Sequence, residues 1–264
     1  VHPFLEAIIA PKTLLGSFLA LTIGGLLFFP ITSGTSWLYY CVLRRSRFFP
    51  NDDVQKEREQ RKKEWKWAFY NVVGNGILTA PVHHWIVQGQ SKVYFDVSER
   101  GWPYLIGSVV AILVITEPLV YWAHRILHVP FLYKHLHLHH HQFRQPSPWT
   151  SMAFHPVDSF MQAVPHHLCA FLFPVHVGVY AGFIIFLQVW STFIHERVTW
   201  VRNPLVNFTA CHTLHHKANK HNYGQFFTIC DRLWGTFRNP VGAVYDGVEQ
   251  ATMRGPSERV TQAS

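Results

Sequence analysis

Nineteen of the 264 residues are histidines, and eight of them fall into three short groups with metal-ligand spacing. "HRILH" occupies 124–128, "HLHHH" 137–141 and "HTLHH" 212–216. Neutral imidazole is the commonest metal ligand near physiological pH. His124 and His128 stand four apart, on one face of a helix. His137, His140 and His141 share the spacing i, i+3, i+4 with His212, His215 and His216. That spacing is expected to point three rings into one solid angle. Eight such nitrogens exceed what one four-coordinate zinc can use and suit two metal ions with some positions open. A solvated His-rich tract would explain any one group; the set argues for a site. His155 in "AFHPVD" and His195 in "STFIHER" are expected as further ligands. His135 and His139 break the spacing and are expected to flank the site. His83, His84, His166, His167 and His176 lie in apolar windows and should be packed, whereas His221 should be exposed.

The elements that must gather these rings follow from composition. The chain is 48% apolar and only 14% charged, against roughly 25% charged residues in an average soluble protein. The net charge of +8 sits beside apolar runs rather than in a stripe with stacking aromatics. That disfavours nucleic acid and fits a membrane surface. Cys41, Cys169, Cys211 and Cys230 show no CxxC spacing, so free buried thiols are expected rather than a disulfide framework. The start "VHPFLEAIIAPK" lacks the basic head and cleavage site of a signal peptide.

Windows 13–43, 67–91, 101–116 and 159–194 contain no Asp, Glu, Lys or Arg. A crossing helix needs about 20 apolar residues. The first window predicts a span from 14 to about 29, kinked or ended by Pro30, with "SWLYYCVL" continuing it or lying at the interface. The second predicts a span near 68–87, interrupted by Gly74, Gly76 and Pro81. The third extends to about Tyr121, and the helix runs on to the first histidines. The fourth is too long for one helix, and "FPVH" at 173–176 divides it into a hairpin of helices near 160–173 and 177–194. The fold class is all-α: an integral membrane protein with about four transmembrane helices and a cytosolic helical cap holding the histidines. Residues 1–110 supply the first spans and a basic loop, 111–240 the catalytic region and 241–264 a polar tail.

Lys and Arg set orientation. "RRSR" at 44–47 and "KEREQRKKEWK" at 56–66 place loop 44–66 in the cytosol, with 56–66 expected to lie along the membrane surface and to attract anionic lipid or an acidic electron donor. Counting spans from there puts all three histidine groups on the cytosolic face, at membrane ends.

With these residues in place, the chain resembles the fatty acid hydroxylase/sterol desaturase superfamily, and within it the C-5 sterol desaturases. The likeness covers roughly residues 115–240. It is carried by "YWAHRILHVPFLYKHLHLHHHQF", "PSPWTSMAFHPVDSFMQAVPHH", "FPVHVGVYAGFIIFLQVWSTFIHE" and "CHTLHHKANKHNYGQFFTICDRLWGTFR". Two departures stand out: Leu138–His139 where the branch usually has Lys-Pro, and His195–Glu196–Arg197 where it often has His-Asp-Gly. The resemblance implies a non-haem di-iron site held by His124, His128, His137, His140, His141, His212, His215 and His216. His155 and His195 match further histidines of the pattern. It also implies dioxygen as co-substrate and electrons from NAD(P)H through cytochrome b5 or a comparable carrier.

A saturated C–H bond is too strong and too weakly acidic for side-chain acid–base chemistry, so the expected reaction is oxygen-dependent removal of hydrogen atoms from a lipid. The leading reading is a C5–C6 desaturation of a sterol. A hydroxylase of the same superfamily, acting on a fatty-acyl, sterol-methyl or other isoprenoid substrate, is the nearest alternative, and a non-enzymatic membrane metal binder the more distant one. Phe154, Phe160, Phe186, Trp190 and Phe193 are candidates to line a substrate path from the bilayer. Glu117 is placed to orient a ligand by hydrogen bonding, Asp158 to do so for His155, and Asn222, with Tyr223 and Gly224, to form a supporting turn. Asp231 and Arg232 are expected to pair. A eukaryotic source would imply the endoplasmic reticulum, and a bacterial one the inner membrane.

Overall fold

The computed structural model describes Pro11 and residues 13–49, 51–199, 201 and 203–240. The rest of the opening stretch and the polar tail 241–264 lie outside the described residues. Most of the described chain is helical. Helix α1, Leu14–Trp37, begins where the Thr13 hydroxyl accepts from the Gly16 amide at 3.0 Å. It runs through Pro30 without ending and continues as a π-helical turn, Leu38–Leu43. Tertiary packing and neighbouring carbonyl acceptors evidently override the break expected there: Thr32 and Thr35 donate to carbonyls of Phe28, Phe29 and Ile31.

Helix α2, Val54–Val87, is a single 34-residue element capped by Asp53, which accepts from the amides of Gln55 and Lys56. This corrects two expectations. The basic stretch 56–66 is not a separate surface helix but the first half of α2, and Gly74, Gly76 and Pro81 do not interrupt it. The two glycines have a packing role instead: a Cβ on Gly74 would collide with the Pro156 ring, and one on Gly76 with the Thr22 hydroxyl.

Helix α3, Gly101–Leu127, carries His124 in its last turn and ends with His128 at its C-cap. Helices α4, Pro156–Leu172, and α5, Val177–Ile194, form the expected hairpin about "FPVH". A feature absent from the all-α expectation lies in this turn: β1, Val93–Tyr94, pairs parallel with β2, Val175–His176. It staples the loop after α2 to the α4–α5 turn. The short helices α6, Thr209–Ala218, and α7, Ile229–Leu233, follow the hairpin.

Among the described residues, three helices are long and apolar enough to cross a membrane: Leu14–Leu43, Gly101–Leu127 and Val177–Ile194. Helix α2 carries its charged half, and α4 has only 17 residues. Exposed apolar side chains on the three long helices, Leu15, Leu27, Ile31, Val110, Val114 and Ile185 among them, suit a lipid-facing belt.

The ends of α1, α3 and α5 and the starts of α4 and the apolar half of α2 converge at one end of the molecule. Polar contacts lock them there. Ser33 meets Ser151 at 3.1 Å, Asn71 donates to the Met152 carbonyl at 3.0 Å, and Ser36 donates to Glu196 at 2.7 Å. Trp149 wedges between α1 and α2, with its ring 5.5 Å from Phe29 and 4.8 Å from Trp65. Beside it the buried Glu64 accepts from Ser147 and Thr150. The four cysteines are free and buried, as expected.

Because Gly74 admits Pro156, the first residue of α4, the packing of α2 sets where α4 begins and hence where Asp158 stands. Gly74→Val is expected to lower unfolding stability in detergent by about 2 kcal/mol, the usual cost of overpacking. Thermal melting checks this; an unchanged midpoint would show that α2 and α4 do not depend on this contact.

Candidate metal centre

The rings sort into two groups, and not along the sequence triples. His124, His128, His137, His141 and His215 form one set, and His140, His195, His212 and His216 the other; within each, one ligand atom per residue lies within 4.8 Å of the rest. Each HxxHH is therefore split, contrary to the expectation of three rings in one solid angle. Successive residues on a helix turn by about 100°, given 3.6 residues per turn. Positions i and i+4 are thus about 40° apart, while i+3 and i+4 diverge by a full step. His137 and His141 go to one group and His140 to the other. His212 and His216 share a group, and His215 crosses over. The five-residue π-helical turn Tyr133–His137 precedes the short helix Leu138–His141 and sets its phase.

His195, at the C-cap of α5, completes the second group. His155 does not join either. It is the N-cap of α4, and its Nδ1 accepts from the Val157 amide at 3.2 Å, while its ring lies 6.0 Å from His139. His139 stacks on Trp67 at 4.0 Å, and His135 turns back to the Phe131 carbonyl. His221 is half-buried rather than exposed, because its carbonyl is used by His215.

The outer nitrogens decide which way the inner lone pairs point. His124 Nδ1 donates to the Tyr223 carbonyl at 2.9 Å, His137 Nδ1 to Asp158 at 2.7 Å, His195 Nδ1 to the Ser191 carbonyl at 2.6 Å and His215 Nδ1 to the His221 carbonyl at 2.7 Å. A carbonyl or carboxylate oxygen accepts, so the proton sits on Nδ1 and a neutral ring presents a bare Nε2. His141 Nε2 lies 3.0 Å from His137 Nε2 and 3.1 Å from His215 Nε2. One proton on His141 can serve only one of those two lone pairs. His195 Nε2 likewise faces His140 at 3.2 Å and His212 at 3.0 Å. Five further ring nitrogens of the two groups, Nε2 of His128 and Nδ1 of His140, His141, His212 and His216, are buried without a partner. Inward lone pairs that imidazoles cannot satisfy among themselves are what a bound cation resolves, and an all-imidazole set suits iron, copper or zinc. The residues fit a metal site.

Burial also keeps these rings neutral. It pushes His140, His141, His212, His215 and His216 well below the ordinary imidazole value and His195 down to about 4.

The supports differ from those expected. Asp158 serves His137 rather than His155, and its other oxygen accepts from Gln162 Nε2 at 2.8 Å. Glu117 touches no histidine; it accepts from the amides of Phe226 and Phe227. Asp231 accepts from the amides of Tyr223 and Gly224, each at 2.8 Å, and from Thr236. Arg232 does not pair with it but donates to the Pro204 carbonyl and Thr228. Asn222, in the left-handed region at φ 60°, bridges the Cys211 and Arg238 carbonyls. The two carboxylates and Asn222 thus hold the 222–227 segment whose Tyr223 carbonyl orients His124.

A cavity of about 30 Å³ opens between the groups, lined by His124, His140, Phe154, Gln162, Ser191, Ile194, His195, His212, Gly224 and Gln225. Phe154 stacks on His140 at 3.8 Å with 12° between planes. Phe160 and Trp190 do not line it. Trp190 instead packs on Phe186 and Phe226 and donates to the Gln225 carbonyl at 2.8 Å. Gln162, Ser191 and Gln225 were invisible as site residues in the sequence. A Gln four positions after Asp158 on one helix was the only signal, and it points equally to an ordinary surface pair.

A family model described as Fatty acid hydroxylase matches residues 109–236. A lathosterol oxidase of Rattus norvegicus is 38% identical over 220 residues, 81% of this chain and 71% of that protein. A lathosterol oxidase of Homo sapiens is 36% identical over 219 residues, 78% of this chain and 73% of that protein. The chain belongs to the fatty acid hydroxylase family. A Delta(7)-sterol 5(6)-desaturase of Gibberella zeae is 44% identical over 167 residues, 62% of this chain and 47% of that one. No solved structure gives a significant match.

Two outcomes test the centre. Asp158→Asn removes the charged acceptor behind His137 and is expected to weaken metal affinity by roughly 10–100-fold, read by competition with a chelator. In the metal-free protein the buried rings have folded values below the unfolded value of about 6.5. The unfolded chain therefore binds more protons below that pH, and stability must fall as pH drops from about 6.5. Urea unfolding in excess chelator across pH 5–8 measures it; greater stability at the acid end would contradict neutral buried rings.

Proposed function

We propose that the chain is a membrane sterol desaturase that uses two iron ions and dioxygen to place a double bond between C-5 and C-6 of a sterol. The observation that carries this reading is the pair of buried all-histidine groups, five rings and four, meeting at one cavity. The activities for which the relatives are named supply the substrate class. The His124, His128, His137, His141 and His215 rings would hold one ion and His140, His195, His212 and His216 the other.

Iron bound there supplies one-electron chemistry with dioxygen, strong enough to take hydrogen from unactivated carbon. In the overall balance two C–H bonds break, one C=C bond forms, and dioxygen leaves as two waters. Two electrons and two protons come from the donor, which we assign to NAD(P)H through a cytochrome b5-like carrier. The chain's own residues do the remaining work. Asp158 and the carbonyls of Ser191, His221 and Tyr223 hold their rings in the tautomer that presents Nε2 inward. The Phe154 ring covers His140 and excludes water on that side. Ile194 gives the cavity an apolar wall facing the substrate.

The same reading makes 111–240 the catalytic region, with α1 and α2 as the membrane frame that sets its geometry. Together α1, α2, α3 and the α4–α5 hairpin give the four-part membrane domain. The end bearing the histidines faces the cytosol, supported by the Arg and Lys residues at 44–47 and 56–66 beside it. In a eukaryotic cell this places the enzyme in the endoplasmic reticulum, and in a bacterium in the inner membrane. Hydroxylation, the activity in the family model's description, starts from the same hydrogen abstraction and differs in its product.

The test is expression in a yeast lacking its own C-5 desaturase, with sterols profiled by mass spectrometry. The expected product is lighter than the substrate by two hydrogens. A product heavier by one oxygen, with no new double bond, would replace desaturase by hydroxylase. His140→Ala and His215→Ala are each expected to lower turnover by more than the roughly 10–100-fold typical of outer partners, while His139→Ala is tolerated. Equal tolerance of all three would leave a metal binder without a defined catalytic cluster.

A further inference from the structure

Apart from the histidines, three polar side chains line the cavity between the groups: Gln162, Ser191 and Gln225. Ser191 gives its hydroxyl proton to the Ser151 carbonyl at 3.1 Å. The Gln225 backbone carbonyl accepts from Trp190, but no such bond among the described residues dictates how its side-chain amide is turned. Gln162 is different because its side-chain orientation is dictated. Its Nε2 donates to Asp158 at 2.8 Å, and Asp158 is in turn anchored by His137 at 2.7 Å. A carboxylate oxygen accepts, so the amide nitrogen must face Asp158 and the amide oxygen must face away from it. That leaves Oε1 of a cavity-lining residue as an acceptor held in place by the support of a metal-binding ring.

We propose that Gln162 accepts the hydrogen bond of the substrate's 3-hydroxyl and so makes the enzyme selective for free sterols over lipids without a hydroxyl near the reacting carbons. This rests on the sterol reading above. The chemistry of that substrate requires such a group to be close. C-5 is only two carbons from the carbinol carbon, so with bonds near 1.5 Å the hydroxyl oxygen lies about 4 Å from a reacting atom. Its recognition partner must therefore share the histidine cavity instead of lying elsewhere along the membrane path. The cavity's volume, about 30 Å³, is that of one small polar group and not of a ring system. Only the hydroxyl-bearing edge of a substrate enters it, and the other rings stay between the helices. A fixed acceptor discriminates more sharply than a free one, because a substrate that brings no donor leaves it unpaired.

Equilibrium binding to the zinc-loaded full chain in detergent tests this without turnover. The probes are a radiolabelled Δ7-sterol with a free 3-hydroxyl and its 3-deoxy counterpart. The wild type is expected to prefer the free sterol about tenfold, the worth of one hydrogen bond. Gln162→Leu should cut that preference to under about threefold, with affinity for the 3-deoxy sterol and metal content unchanged. Gln225→Leu should keep the full preference. A Gln162→Leu protein that retains the tenfold preference overturns the proposal and leaves the sterol reading standing, as does loss of preference in Gln225→Leu instead. Parallel loss of metal and of both sterols in Gln162→Leu overturns it in favour of a purely structural role. A wild type that binds neither sterol overturns the sterol reading and the proposal together.

Discussion

Four inward nitrogens of the two histidine groups are set by an outward proton. Four rings give their Nδ1 proton to an oxygen that can only accept, and four Nε2 lone pairs are thereby aimed at their neighbours before any cation arrives. Three of the four acceptors are main-chain carbonyls. The site is therefore specified by where the backbone runs at three places, and only once, at Asp158, by a side chain chosen for the purpose. Burial adds the second half of the constraint. Removing water from His140, His141, His195, His212, His215 and His216 makes their protonation the costly alternative and leaves them neutral rings able to bind a cation.

The rest of the structure can be understood as what keeps those carbonyls still. Tyr223 is held by Asp231 and by the turn at Asn222, and the next residues by Glu117 on α3. These are buried carboxylates bonded to backbone amides and not to cations, an arrangement that fixes a loop without requiring a second charge in the same apolar layer. Ser191 is fixed by α5 itself, whose last turn both carries His195 and supplies its acceptor. Asp158 is placed by the start of α4 against Gly74 of α2. Long helices that match a membrane in length and composition thus act as rulers for ring positions.

The residues that could hold a metal were largely legible in the sequence, because metal-ligand spacing is a local property. All eight box histidines and His195 stand in the two groups, and the hairpin about "FPVH" and the helix running from the third apolar window into "HRILH" were read correctly. The failures share a cause. His155 reads as a ligand by its position at the rim, but its ring is spent on capping a helix, a role set by the Pro156 that follows it. Asp158 was paired with the nearest histidine in sequence rather than with His137, 21 residues away, and Arg232 with its neighbour Asp231. The unbroken α2 was misjudged because Gly and Pro report local propensity, while close packing against Pro156 and Thr22 is a tertiary gain. The division of each HxxHH between two groups follows from helix geometry alone, but only once it is known that two groups exist.

The two groups are not equivalent, and the difference bears on where chemistry can occur. Of the five-ring group only His124 reaches the cavity, whereas His140, His195 and His212 of the four-ring group all line it. The first group packs against Tyr223 and Tyr133, whose rings lie 5.0 and 5.4 Å from His128, its one half-buried member. The second group has fewer rings and more adjoining space, on the side walled by Ile194 and Phe154. A site built to bind metal alone would gain by closing both. Leaving the poorer-liganded group beside a cavity whose far wall is a membrane helix makes sense when something besides protein nitrogen must approach it from the lipid side.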